Sequence, residues 1–80
     1  MVKVKMFGVI RLGSGVKELE CEAKTVEETF NALNIKSAPS ADKFTYNDAI
    51  VFVNSKRVYS KNYALSNGDE VWLMSPASGG

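Results

Sequence analysis

The group in this chain best placed to react is the α-carboxylate of Gly80, which follows Gly79 at the carboxyl end. Glycine is about 7% of average usage, so a terminal pair arises by chance in roughly 0.5% of chains. The pair has a physical meaning. Two residues without Cβ make a strand thin enough for a partner's tunnel to close around, and they reach backbone angles closed to other residues. A terminus of this kind can be presented to another protein as a substrate. The competing reading is a frayed tail or an expression scar.

The remaining chemistry-bearing residues are accounted for without a reaction. Cys21 is the sole cysteine and histidine is absent, which excludes a disulfide within one chain and a Cys/His metal site. Cys21 sits in Leu19-Glu20-Cys21-Glu22-Ala23. A reactive thiolate wants positive surroundings, and these are acidic, so Cys21 reads as a small buried hydrophobe. Glu27-Glu28 and Asp69-Glu70 are adjacent carboxylates, but their places are those of cap and turn residues. Gly13-Ser14-Gly15 is too short for a phosphate loop. With no nucleophile–base pair, the chain has no independent catalytic site. It reads as something acted upon.

The bulk numbers agree. Eighty residues, 45% of them hydrophobic, make one small domain with one core. Ten Lys+Arg against nine Asp+Glu give +1 with no basic block, so nucleic acid is not expected as a partner. No apolar run reaches the length of a membrane span and no signal peptide is read, so no membrane partner is expected and the expected location is cytoplasmic.

The elements that must hold such a terminus follow from periodicity. Val2, Val4 and Met6 alternate with Lys3, Lys5 and Phe7, which predicts a strand with one apolar face. Leu12-Gly13-Ser14-Gly15 signals a turn, and Val16, Leu19, Cys21 and Ala23 predict a second strand returning as a hairpin. Thr25-Val26-Glu27-Glu28 has the form of a capping box. Val26, Phe30 and Leu33 then give one apolar stripe, predicting a helix over about 26–34, with Glu27 and Glu28 where the helix dipole favours them. Residues 36–48 are polar and loose, pinned to the body by Phe44 and Tyr46. Ala49-Ile50-Val51-Phe52-Val53 is a strand apolar on both faces. Asn54-Ser55-Lys56-Arg57 turns and Val58-Tyr59 returns. Gly68 suits positive φ in the turn Leu65–Asp69. Val71-Trp72-Leu73-Met74 is the last strand, and Pro76 ends it. The sum is an α+β domain, a mixed sheet of about five strands packed on one main helix, with the domain at 1–74 and a flexible tail at 75–80.

Parity then leaves a face over. With Val2, Val4, Met6, Val71 and Leu73 toward the helix, Phe7, Trp72 and Met74 lie on the other side, joined by either Val51 and Val53 or Ile50 and Phe52. A free sheet face normally alternates to polar residues. An apolar one marks a binding surface, unless the loop 36–48 folds over it. Trp72 and Met74 stand just before the tail, so face and terminus are expected to engage one partner.

Element order, size, Leu65-x-x-Gly68-Asp69-Glu70-Val71 and the ending Pro76-x-x-Gly79-Gly80 resemble the ubiquitin-like β-grasp sulfur carriers of the MoaD/ThiS family. Within it, Phe7 followed by Arg11, the length and the insertion at 36–48 are most like the small subunit of molybdopterin synthase (MoaD). Departures are Leu12 where the family often has Glu, and a single proline in Ser75-Pro76 where it often has two. The archaeal ubiquitin-like modifiers share the body and the ending. The resemblance implies an activating partner, an E1-like adenylyltransferase (MoeB-like), which uses ATP to adenylate Gly80. A sulfur donor enzyme then converts it to a thiocarboxylate. A large synthase subunit (MoaE-like) receives the tail, where sulfur builds the molybdopterin dithiolene. The carrier would bind no cofactor itself. The resemblance places Phe7, Val58 and Met74 in the partner contact, with Arg11, Pro76, Ala77 and Ser78 nearby, Trp72 as a further candidate, and Gly79 and Gly80 at the reaction. Extended, Ser75–Gly80 reaches roughly 20 Å. Alternative outcomes are a carrier for thiamine or tRNA thiolation, a protein modifier, or a β-grasp interaction module with an inert tail.

Overall fold

A computed structural model describes residues 1–76. Five strands form one sheet in the order β2-β1-β5-β3-β4. They are β1 (Val2–Met6), β2 (Glu18–Cys21), β3 (Ile50–Val53), β4 (Lys56–Val58) and β5 (Glu70–Met74). Strands β1 and β5 run parallel at the centre, and the other pairs are antiparallel. The main helix is α2 (Val26–Lys36), preceded by a short α1 (Gly8–Ser14). This is the mixed-sheet, one-main-helix α+β architecture that the sequence implies.

The core follows the parity. Val2, Val4 and Met6 of β1, Val71 and Leu73 of β5, and Val51 and Val53 of β3 all point at α2 and are buried. From α2 come Val26, Phe30 and Leu33. Each such side chain contributes about 1.5–3 kcal/mol by leaving water. Thr29 is buried among them because its hydroxyl donates to the Val26 carbonyl at 2.6 Å, which removes the cost of an unpaired polar group.

Four local expectations are corrected. The first is the connection between β1 and β2, which is the helix α1 and not a bare turn. Ile10 and Ser14, one helical turn apart, are its buried face, and Gly15 closes it in the left-handed region at φ 74, donating to the Arg11 carbonyl. The second is the cap of α2, which the Thr25 hydroxyl does not make. The Val26 and Glu27 amides donate instead to the carbonyls of Tyr63 and Lys61 at 3.1 and 2.9 Å. The acidic half of the box does not form either: Glu28 reaches one residue past the cap and accepts from the Lys24 amide at 2.9 Å. The third is the end of α2, which runs on to Lys36. The fourth is the β3–β4 turn, which is only Asn54-Ser55, both at positive φ (51 and 71). These angles match the twist of a two-residue hairpin. The strand therefore begins at Lys56 and not after Arg57.

The loop 36–48 covers the helical side of the core, so it leaves the far sheet face open. Asn34 clamps it: its amide donates to the Phe44 carbonyl at 2.8 Å and its carbonyl accepts from the Phe44 amide at 3.0 Å. This seats the Phe44 ring against Gly13, where a Cβ would come within 2.7 Å of it. Tyr46 packs edge-on to Phe30. No helix among the described residues is long and apolar enough to cross a membrane.

Candidate functional site

The face of the sheet turned away from α2 is built around Trp72. The registers put Lys5 on one side of it and Phe52 on the other, with Arg57 beyond Phe52. Phe7 meets the Trp72 ring edge-on at 5.6 Å between centroids, and Phe52 meets it tilted at 6.4 Å. Ile50 pairs with Met74 in the same sheet, and both are half-buried. So Ile50 and Phe52 are the residues that join Phe7, Trp72 and Met74. Val51 and Val53 go to the core.

Trp72 is held from one side. Its indole Nε1–H donates to the Glu70 carboxylate at 2.5 Å, and the Lys5 ammonium stands 3.8 Å from the same oxygen. The indole donor is thereby satisfied while the ring stays on the surface. Next to the ring lies a groove of ≈ 370 Å³ lined by Phe7, Arg11, Lys17, Glu18, Lys5 and Trp72. Farther along, the Arg57 guanidinium stacks over Tyr59 at 4.8 Å.

The root of the tail is beside this face. The Phe7 amide donates to the Leu73 carbonyl at 3.0 Å, carrying the β1–β5 ladder to the start of α1. Gly8 follows at φ +58, and a Cβ there would overlap the Ser75 hydroxyl and lie 3.3 Å from Ser75 Cβ. A glycine is required at Gly8 both by its angle and by the chain that crosses it. On α1, Val9 and Leu12 are exposed at 59% and 82%.

The expected contact residues divide. Phe7, Arg11 and Trp72 come together in the groove. Met74 is on the same face, and Pro76 is exposed at the last described position. Val58 is corrected: it is 5% exposed, because the two-residue turn pairs it with Val51 and so turns it into the core. Ala77, Ser78, Gly79 and Gly80 lie outside the described residues. Gly8, Lys5, Lys17, Glu18, Glu70 and Tyr59 belong to this surface without having been expected there. Strand parity of Lys5, Glu18 and Glu70 relative to Trp72 is the available signal for three of them.

Among the described residues, two titrating groups have shifted acidities. Cys21 is pushed up, mainly by burial and then by Glu22 and Glu28. Its side chain packs against the core, as a thiol held protonated. Asp69 is pulled below the ordinary 3.8, first by the Ser66 amide and then by the Asn54 side chain. It fastens the turn that leads into β5.

Among the described residues the arrangement is an aromatic face beside the point where the chain leaves β5, with no thiol between them. The ThiS family model matches residues 4–80. The chain belongs to the ThiS family. As a ThiS-family chain it is a ubiquitin-like sulfur carrier or modifier, and its fold is the β-grasp that the resemblance implied. No curated protein matches it. Among solved structures, this ThiS-family chain is similar to the small archaeal modifier protein 1 (SAMP1) of Methanosarcina acetivorans. The two are 22% identical with TM-score 0.75, over 99% of this chain and 95% of that one. It is similar to a chain of the BexX/CysO complex of Amycolatopsis orientalis, 20% identical with TM-score 0.74 over all of both chains. It is also similar to a chain in the complex of subunits 1 and 2 of the molybdopterin-converting factor of Helicobacter pylori. There the identity is 23% and the TM-score 0.68, over 99% and 97% of the two chains.

Proposed function

We propose that this protein is a sulfur carrier that serves as the small subunit of a molybdopterin synthase. The observation that carries the reading is the family match, which runs through residue 80 and so takes in Gly79 and Gly80. The aromatic face at the root of the tail supports it, as does the likeness to a molybdopterin-converting factor solved with its second subunit.

In this reading an E1-like adenylyltransferase of the MoeB kind grips the Phe7–Trp72–Met74 face. The Gly80 carboxylate attacks the α-phosphorus of ATP, forming an acyl-adenylate and expelling pyrophosphate. A persulfide sulfur on a donor enzyme attacks the acyl carbon and AMP leaves. A thiol then cleaves the resulting acyl disulfide, pairing with the donor's own sulfur and freeing the thiocarboxylate, so one carboxylate oxygen is exchanged for sulfur. The same face then meets a MoaE-like large subunit, and the thiocarboxylate gives its sulfur to the dithiolene. The carrier's own residues bind and aim. The chemistry on Gly80 is supplied by its partners.

The test is mass spectrometry after incubation with ATP, a cognate activating enzyme and a sulfur source. The expected change is one oxygen-to-sulfur exchange at Gly80, lost on deletion of Gly80. An unchanged mass with an enzyme active on another carrier sinks the reading. A second reading, as a protein modifier, is favoured by the likeness to an archaeal modifier protein. It predicts isopeptide conjugates ending in Gly80 in cell extract.

A further inference from the structure

The groove beside Trp72 has an uneven charge balance. Its floor is two aromatic rings, Phe7 and Trp72, and three cations, Lys5, Arg11 and Lys17, stand around it with Glu18. Lys5 is already engaged, with Glu70 at 3.8 Å and Glu18 opposite it across β1 and β2. Arg11 and Lys17 are not. Among the described residues neither has a carboxylate within 4.0 Å. Nor is Arg11 spent on an aromatic ring, since the one cation–π contact among the described residues is Arg57 on Tyr59.

We propose that this groove docks an acidic segment of a protein partner, a carboxylate on Arg11 and Lys17 and an adjacent apolar side chain on Phe7 and Trp72. The inference rests on the reading of this face as a partner surface, and it adds the chemistry of the segment that is chosen. A carboxylate entering beside two rings leaves water for a less polar surrounding. There a charge-assisted, bidentate bond from a guanidinium is at its most useful. A basic segment would meet Arg11 and Lys17 uncommitted, with the two nearby carboxylates, Glu18 and Glu70, already placed about Lys5. The net charge of the whole chain is only +1, so the preference is local to the groove and would select orientation as well as partner. Two free cations are too few to track a nucleic-acid backbone, which needs a run of them.

The test uses 15N-labelled full-length protein and three probes. These are a blocked Glu-Leu-Glu peptide, a blocked Lys-Leu-Lys peptide, and a short oligothymidylate. Trp72 is the single tryptophan, so its indole N–H gives one isolated resonance inside the groove. The acidic peptide is expected to shift that resonance and the Phe7 and Arg11 amides along one saturating curve. The basic peptide should bind at least tenfold more weakly. Arg11→Glu with Lys17→Glu should weaken the acidic peptide at least tenfold, and Arg11→Gln with Lys17→Gln by an intermediate factor. Both positions are exposed, so the fold is expected to survive, and an unchanged dispersion of the core amides checks it. The proposal is overturned if the acidic peptide gives no saturable shift, or if both peptides act alike. It is equally overturned if the charge variants bind as the parent does, or if oligothymidylate takes the groove more tightly. No ATP, activating enzyme or tail chemistry enters this experiment. A failed thiocarboxylate assay and a failed peptide titration therefore point to different errors.

Discussion

Gly8 is where the fold and the tail constrain each other, and replacing it should separate two costs. In Gly8→Ala the new residue must hold φ +58, which costs an L-residue about 1–2 kcal/mol. Its Cβ would also overlap the Ser75 hydroxyl and press on Ser75 Cβ at 3.3 Å. The hydroxyl can rotate away, so this crowding belongs at the low end of overpacking, about 1 kcal/mol. The sum is about 2–3 kcal/mol. For a domain of this size that lowers Tm by roughly 10–20 °C, at about 4–8 °C per kcal/mol. Gly8→Asn should lose only the crowding, since Asn tolerates the left-handed region. Adding Ser75→Gly to Gly8→Ala should return about 1 kcal/mol and leave the backbone cost. Urea unfolding of the parent, the two single variants and the double variant forms a cycle in which the coupling between residues 8 and 75 is read directly. If Gly8→Ala stays within about 0.5 kcal/mol of the parent, as an ordinary surface change would, the reasoning fails. It fails too if Ser75→Gly recovers nothing.

Three further outcomes are expected. Asn34→Ala removes both hydrogen bonds to Phe44, and should cost about 1–3 kcal/mol with faster amide exchange confined to the loop 36–48. The Asp69 carboxyl is lowered in the folded state by Ser66 and Asn54. Its contribution to stability is therefore full above the ordinary 3.8 and is lost as pH falls through the lower folded value. Asp69→Asn should be less stable than the parent at neutral pH, and a series of melts should show the gap closing below about pH 4. An unchanging gap would count against the Ser66 and Asn54 bonds. Cys21, packed against the core with its acidity weakened by burial, should react with iodoacetamide at pH 7 much more slowly than a free thiol. Equal rates would show it to be accessible.

The sheet is legible in the sequence because each strand carries its two faces in alternation. Val2, Val4, Met6, Val71 and Leu73 announce the core by position alone, and the same parity puts Phe7, Trp72 and Met74 outside. What parity cannot decide is β3, where Ile50-Val51-Phe52-Val53 is apolar at every position. That choice is made by the register with β5, a nonlocal fact. Helix α1 is illegible because glycines at positions 8 and 13 speak against a helix. Tertiary contact holds it, through Ile10 in the core and Phe44 against Gly13. Val58 is misplaced by the resemblance, while its own hairpin geometry turns it inward. The groove cations are illegible for another reason: Arg11 and Lys17 come from α1 and from just before β2, and only that unexpected helix brings them together.

The central pairing of β1 with β5 also sets a timetable. Val2–Met6 and Glu70–Met74 are the first and last strands along the described chain, and they sit side by side. Their parallel contact closes nearly the whole chain into a loop before it returns any energy. A ribosome emits β1 first and β5 last, so the sheet lacks its middle strand until synthesis has passed Met74. Trp72, and with it the aromatic face, exists only in a chain made that far. An enzyme that recognises that face would meet no competition from shorter, unfinished copies.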